Sequence, residues 1–209
     1  MKKEIKISET SIIDAYRAAG SDTKEVLEHL FPDVDFKAGL PVTERIKTFE
    51  DACKELGRRA EDGDTVAGNL LCDYESNADN ITVPETVAYM KLCIIAAALN
   101  EGWEPQFTTD EYRYFPWFYL YTKDEIDKMD KMDKEKRSRV VLRSPYFAYA
   151  YGGVACAYAY YVSSNALSSY GSRLAFKTRE LAVYAGKQFV DIWADFVFPE
   201  KAKSAGAAK

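Results

Sequence analysis

Apolar residues recur at helical spacing through the first half of the chain, then give way to dense, alternating aromatics. Ile12, Ile13 and Tyr16 behind Ser8 or Thr10 predict a capped helix ending near Gly20. Asp22 with Glu25 three residues on reads as a capping box. It opens a helix through Val26, Leu27 and Leu30 that stops at Pro32. Residues 33–41 read as a linker. Thr43 or Thr48 opens the next helix, with Phe49, Cys53 and Leu56 on one face and Gly57 at its C-cap. Residues 58–80 carry loop signals and a short helix around Ala67–Tyr74. Thr82, Val83 and Pro84 mark a strong helix start. That helix runs to about Leu99 and is apolar nearly all round over Leu92–Leu99, so its end should be buried. Asn100-Glu101-Gly102 stops it.

From Trp103 the pattern becomes strand-like. Tyr112, Tyr114, Phe115, Trp117, Phe118, Tyr119 and Tyr121 predict an aromatic strand, and Pro116 marks it as an edge or a bulge. Residues 123–139 form a mixed-charge excursion with Ile126, Met129 and Met132 at three-residue spacing. Val140–Arg143 resumes strand character. Ser144–Ser164 then reads as a β-hairpin turning at Gly152-Gly153. In that register Tyr151 faces Val154 and Tyr149 faces Cys156. Phe147, Tyr149, Tyr151, Val154, Cys156, Tyr158 and Tyr160 then share one face. Ala148, Ala150, Ala155, Ala157 and Ala159 share the other, with Tyr146 and Tyr161 toward its open end. Ser172–Lys177 suggests a further strand. Thr178 caps a last helix whose stripe of Leu181, Ala185, Phe189, Ile192, Trp193 and Phe196 could cover the alanine face.

These elements predict an α+β protein: a helical N-terminal part (1–102), then an antiparallel aromatic-rich sheet of three to five strands with a packed C-terminal helix (103–198). The basic, small-residue tail (199–209) reads as disordered. One compact unit and two lobes meeting near Gly102 both fit the pattern.

Composition narrows the chemistry. The 209 residues carry a formal charge of −5, which argues against non-specific nucleic-acid binding. The N-terminus lacks the apolar core of a signal peptide, and Leu92–Leu99 is too short to span a bilayer. The expected setting is soluble: the cytoplasm of a bacterial host, or a virion. Cys53, Cys72, Cys93 and Cys156 are widely spaced, without a CxxC pair, and read as reduced thiols. His29 is the one histidine, and neither a Walker loop nor a GxGxxG occurs. No catalytic residue, metal site or cofactor is predicted.

Three features remain as candidate sites. The tyrosine face, with Tyr149, Tyr151, Tyr158 and Tyr160 together with Trp117, is either a second core layer or a platform for a protein, a glycan or a base. Arg173, with Lys177 and Arg179 before a helix start, could hold a phosphate, or these residues could pair with nearby carboxylates. Glu101, Glu104, Asp110 and Glu111 lie among Trp103, Phe107 and Tyr112. This acidic-aromatic segment (101–117) suits a small-molecule binder or enzyme acting on a nucleotide or a sugar.

Four segments add a context. TERIKTFEDACKELG (43–57), ALNEGWEP (98–105), YRYFPWF (112–118) and GSRLAFKTRELAVYAGKQF (171–189) together resemble a group of uncharacterised proteins of gut Bacteroidota and their phages and prophages. The resemblance covers most of residues 43–198, and the leading helices ending in EVLEHLFP are similar to that group's N-terminus. The charged run after Tyr121 is longer than in relatives, and Ala175 stands where relatives often carry cysteine. The resemblance implies a mobile-element setting and carries no activity. The leading expectation is therefore a non-enzymatic binding or assembly protein of phage or prophage origin, a virion component in one form. It would meet a protein partner or its own copies through the aromatic sheet, with the small-ligand reading as the alternative.

Overall fold

A computed structural model describes residues 7–37, 40–108, 110–129, 139–142, 153–163 and 171–199. Within 153–163 the side chains of residues 153–156 and 159 are described. The chain divides into two compact units, Met1–Pro41 and Val42–Lys209.

The first unit holds α1 (Glu9–Ala18) and α2 (Ser21–Leu30). The Ser8 hydroxyl accepts the Ser11 N–H at 3.2 Å, as its position ahead of the helix predicts. The capping box expected from Asp22 and Glu25 does not form. α2 begins two residues earlier, with Gly20 at its N-cap, so Asp22 lies inside the first turn. There its charge favours the helix dipole instead. Tyr16 packs its ring on Phe36 with centroids 4.5 Å apart.

The second unit begins with α3 (Val42–Arg45), α4 (Phe49–Glu61), α5 (Thr65–Asn77), a 3-10 turn at Ala78–Asn80 and α6 (Pro84–Leu99). Thr48 and Asp51 make a reciprocal capping box, each side chain accepting the other's backbone N–H at 3.1 Å. Gly57 is not a cap: α4 runs on to Glu61 because Ala52 and Leu56 are buried along it, and Gly63, at φ 97°, makes the exit. Next come β1 (Tyr112–Tyr121), α7 (Lys123–Asp127), β2 (Val141–Leu142) and β3 (Gly153–Ser163). A 3-10 turn (Ser172–Leu174), α8 (Arg179–Gln188) and α9 (Val190–Val197) follow. The sheet is antiparallel in the order β1-β3-β2. The fold is α+β, with a small sheet against a larger helical layer.

Two expectations for β3 are corrected. Val154 pairs with Val141 on one side and Leu120 on the other, and Gly153 pairs with Leu142 and Tyr121. Val154 therefore has strand partners on both sides, and Gly153 is strand rather than turn. Its need for glycine is one of space, since a Cβ there would lie 2.6 Å from the Val141 carbonyl oxygen. Secondly, the β1–β3 register shifts between Trp117 and Phe118: Trp117 pairs with Tyr158 and Phe118 with Cys156, leaving Ala157 as an extra residue. Such a bulge reverses the alternation of faces. Val154 packs under Ala194 and Phe198, whereas Ala159, five positions on, joins the main core. Ala155 and Ala159, expected on one face, fall in different clusters: Ala155 with Ile126 and Val140, and Ala159 in the main core. The first arm and turn of the expected hairpin (144–152), and the tail from residue 200, lie outside the described residues.

α8 crosses the sheet where Gly186 meets Cys156 and Pro116; a Cβ at Gly186 would stand 2.5 Å from the Cys156 sulfur and 2.9 Å from Pro116 Cβ. The last helix is two helices, broken at Phe189 (φ −112°, ψ 32°). The break keeps Phe189 and Trp193 both buried while α9 turns back onto α6. Ser172–Lys177 contributes one bridge, Phe176 to Tyr114, rather than a strand. The main core joins Leu56 of α4, Leu92, Ile95 and Leu99 of α6, Phe176, and Leu181 and Trp193 of the last helices. Gly102 thus lies inside the second unit, whose core draws on both sides of it.

Candidate functional site

The end of α6 is where the chain gathers its polar groups. Asn100, buried, donates from its amide to the Ala175 carbonyl at 2.8 Å and accepts the Lys177 backbone N–H at 3.0 Å. Glu101 follows in the left-handed region (φ 51°) and takes Arg45 at 2.6 Å and the Lys177 ammonium at 2.9 Å. The Lys177 hydrogen bond, ahead of its charge and that of Arg45, holds the Glu101 carboxyl below its ordinary range despite some loss of hydration. Tyr184 and Gln188 of α8 donate to the carbonyls of Ile46 and Lys47, each at 2.7 Å. Tyr114 and Phe176 exchange backbone hydrogen bonds at 3.1 and 2.9 Å. The four sequence segments singled out above therefore converge here, and these residues act as staples. Glu101 and Lys177 hold each other.

Beside these staples opens a cleft of about 240 Å³ between α4, α5, the end of α6, the 102–107 loop and the 172–173 turn. Arg59, Trp103, Glu104, Phe107 and Arg173 line it. Arg59 is committed: it pairs with Asp64, the N-cap of α5, and donates to the Ala97 carbonyl at 2.7 Å. Arg173 is exposed and makes no ion pair among the described residues. Phe107 sits in the left-handed region (φ 56°), rare for a bulky residue. Its ring centroid lies 4.5 Å from the guanidinium carbon of Arg113.

Arg113 is the unexpected residue. It projects from an aromatic strand and its side chain has no exposed surface. One carboxylate meets it, Glu111, at 3.2 Å. The same Glu111 oxygen also accepts the backbone N–H groups of Gln106 and Phe107, at 2.9 and 3.0 Å. The Arg113 Nε and Nη2 groups are buried without a hydrogen-bond partner among the described residues. Next along the same strand face, Phe115 packs with Trp103 and Ala175.

The second half of β1 offers a different surface. Its inner side pairs with β3, and its outer side carries no strand partner past Phe115 among the described residues. Trp117, Tyr119 and Leu120 are 40%, 54% and 46% exposed. A groove of about 330 Å³ runs beside them, lined by Trp117, Phe118, Leu120, Phe196 and Val197.

The predicted residues fall in separate places. Trp117 belongs to the edge groove and Arg173 to the cleft. Tyr158 and Tyr160 lie on β3 opposite Trp117 and Phe115, with side chains outside the described set. Tyr149 and Tyr151 lie outside the described residues. Within the acidic-aromatic segment Glu101 and Glu111 hold backbone and cations, and Glu104 lines the cleft. Among the described residues no group of three or more His, Cys, Asp or Glu side chains could hold a metal ion, and no helix is long and apolar enough to cross a membrane. Sequence reasoning passed over Arg113, although a charge amid YRYFPWF was its signal. Comparison with protein-family models, curated proteins and solved structures finds no match.

Proposed function

We propose that this chain is a non-enzymatic binding or assembly protein that docks a strand of a second protein chain, in the simplest case another copy of itself, along the outer edge of β1. The observation that carries this reading is the run of exposed Trp117, Tyr119 and Leu120 on an edge strand beside an apolar groove. An edge strand offers unmatched backbone groups to an incoming strand. The groove over Phe196 and Val197 would receive alternate side chains of that strand. Pro116 lacks an N–H and would limit pairing to its C-terminal side.

Analytical ultracentrifugation across a concentration series tests this. The wild-type chain is expected to self-associate. A Tyr119→Lys, Leu120→Lys double variant should remain monomeric, because edge charges block strand addition. A wild type that stays monomeric at every concentration, or a variant that associates equally, overturns the self-docking form. A phage or prophage setting rests on the motif resemblance. Its virion form predicts this protein in purified particles from a producing strain, and absence from them by mass spectrometry rejects that form.

A further inference from the structure

We infer that Arg113 anchors an oxyanion-binding site covered by the Phe107 ring, and that its ligand is a small organic acid or phosphate ester seated in the adjoining cleft. The argument begins with a charge imbalance. A guanidinium removed from water needs partners for its five N–H groups, and an incompletely paired buried cation is costly. Arg113 has a single carboxylate oxygen, and that oxygen already serves two backbone donors. What is left is one particular pair of donors. Nε and Nη2 lie along one edge of the planar guanidinium and together form the fork that grips a carboxylate or phosphate with two parallel hydrogen bonds.

The cover is a single ring, and Arg113 lies behind it rather than in the cleft lining. Phe107 stacks on the guanidinium through a cation–π contact. Its backbone is held in a conformation unfavourable for such a residue, and two N–H bonds to Glu111 restrain it. The same ring forms one wall of the cleft. Rotating it away exchanges a ring for a ligand without disturbing the strand that carries Arg113. The cleft supplies the remaining recognition. Trp103 offers a flat apolar surface, and Arg173 a second cation without an ion-pair partner among the described residues. At about 240 Å³ it lies below the ~300–1,000 Å³ range of drug-sized sites, so the ligand is small. This site lies at the opposite end of β1 from the docking edge and stands or falls independently of it.

The test uses the full chain, titrated calorimetrically with sodium phosphate and separately with sodium benzoate, at ionic strength held constant with sodium chloride. Saturable binding of phosphate points to a phosphate ester, and of benzoate to an aromatic acid. Either is expected to raise the thermal midpoint. Arg113→Met keeps the volume and removes the fork, and should weaken binding about tenfold or more. Arg113→Lys should weaken it as well, since a single ammonium cannot replace the fork. Phe107→Ala removes the cover and should tighten binding. A purely structural Arg113 would move stability in these variants and show no anion dependence. The inference fails if neither anion binds saturably to the wild type and to Phe107→Ala, or if Arg113→Met binds as the wild type does. Should Arg113→Met not fold, equal binding by wild type, Arg113→Lys and Phe107→Ala overturns it.

Discussion

Asn100 and Glu101 were legible in the sequence as the residues that end a helix, and they do end α6. That they also clamp residues 175–177 was not, because hydrogen bonds across some 75 positions leave no local trace. The Glu101 clamp has a pH signature. Its folded carboxyl is held below the ordinary value of 4.5, first by the Lys177 hydrogen bond. The unfolded state therefore binds the proton more readily, so this contribution is complete above the ordinary glutamate range and fades as pH falls through the lower, folded value. Glu101→Gln should lower the urea midpoint at pH 7, a stability loss of at most about 1 kcal/mol because the side chain is over a third exposed. The gap between variant and wild type should close in acid. A gap that stays constant down to pH 3 would mean that the charge of Glu101 does not contribute. Arg113 was equally visible as a letter, yet its contacts are the Phe107 ring and the Glu111 carboxylate, which no local pattern assigns to it.

At the scale of elements the sequence was informative where chemistry is local. Ser8, Thr48 and Thr178 cap the helices that follow them, and Pro84 starts α6, since these signals depend only on backbone N–H groups within three residues. It misled where packing overrode local preference. Gly57 reads as a stop, but the buried stripe of α4 carries on through it. A continuous helical stripe from Leu181 to Phe196 conceals the break at Phe189, because the spacing survives when both halves face the same core. The bulge in β3 is hidden for a related reason: an extra alanine among alternating Ala and Tyr does not announce itself. The last helices were expected over the alanine face; they cover Ala159, but α8 meets β3 through Gly186 at Cys156, a residue assigned to the other face. Gly186→Ala gains up to about 1 kcal/mol of helix propensity but must displace Cys156 and Pro116, a clash costing typically ~1–3 kcal/mol. The expected net result is a lower urea midpoint with an unchanged slope. A rise would show that the helix can lift off the sheet at little cost.

For the whole molecule, the textural change at Gly102 left one unit and two lobes both open. The second unit packs α4 and α6 together with α8 and α9 in one core. Cysteines report on this. Cys93, in α6, is buried, and Cys156, in β3, has its thiol pushed up to about 11 by burial, whereas Cys72 is exposed. Iodoacetamide should therefore label Cys72 in the native protein and leave the other two protected. With rising urea, Cys93 and Cys156 should become reactive at a common midpoint, as members of one cooperative unit. Two distinct midpoints would mean separate lobes divided near Gly102.

The amino-acid sequence by itself determined the class of fold and most helix starts. Both arise from interactions over a few residues: hydrophobic period, caps and proline. The tertiary structure alone decided which residues share a site. It set Phe107 and Trp103 over the β1 face that carries Arg113 and Phe115, drew Lys177 to Glu101, and left Trp117, Tyr119 and Leu120 partly exposed on β1. Burial and partnership are properties of segments brought together from distant parts of the chain, and side-chain period carries no record of which segment will arrive.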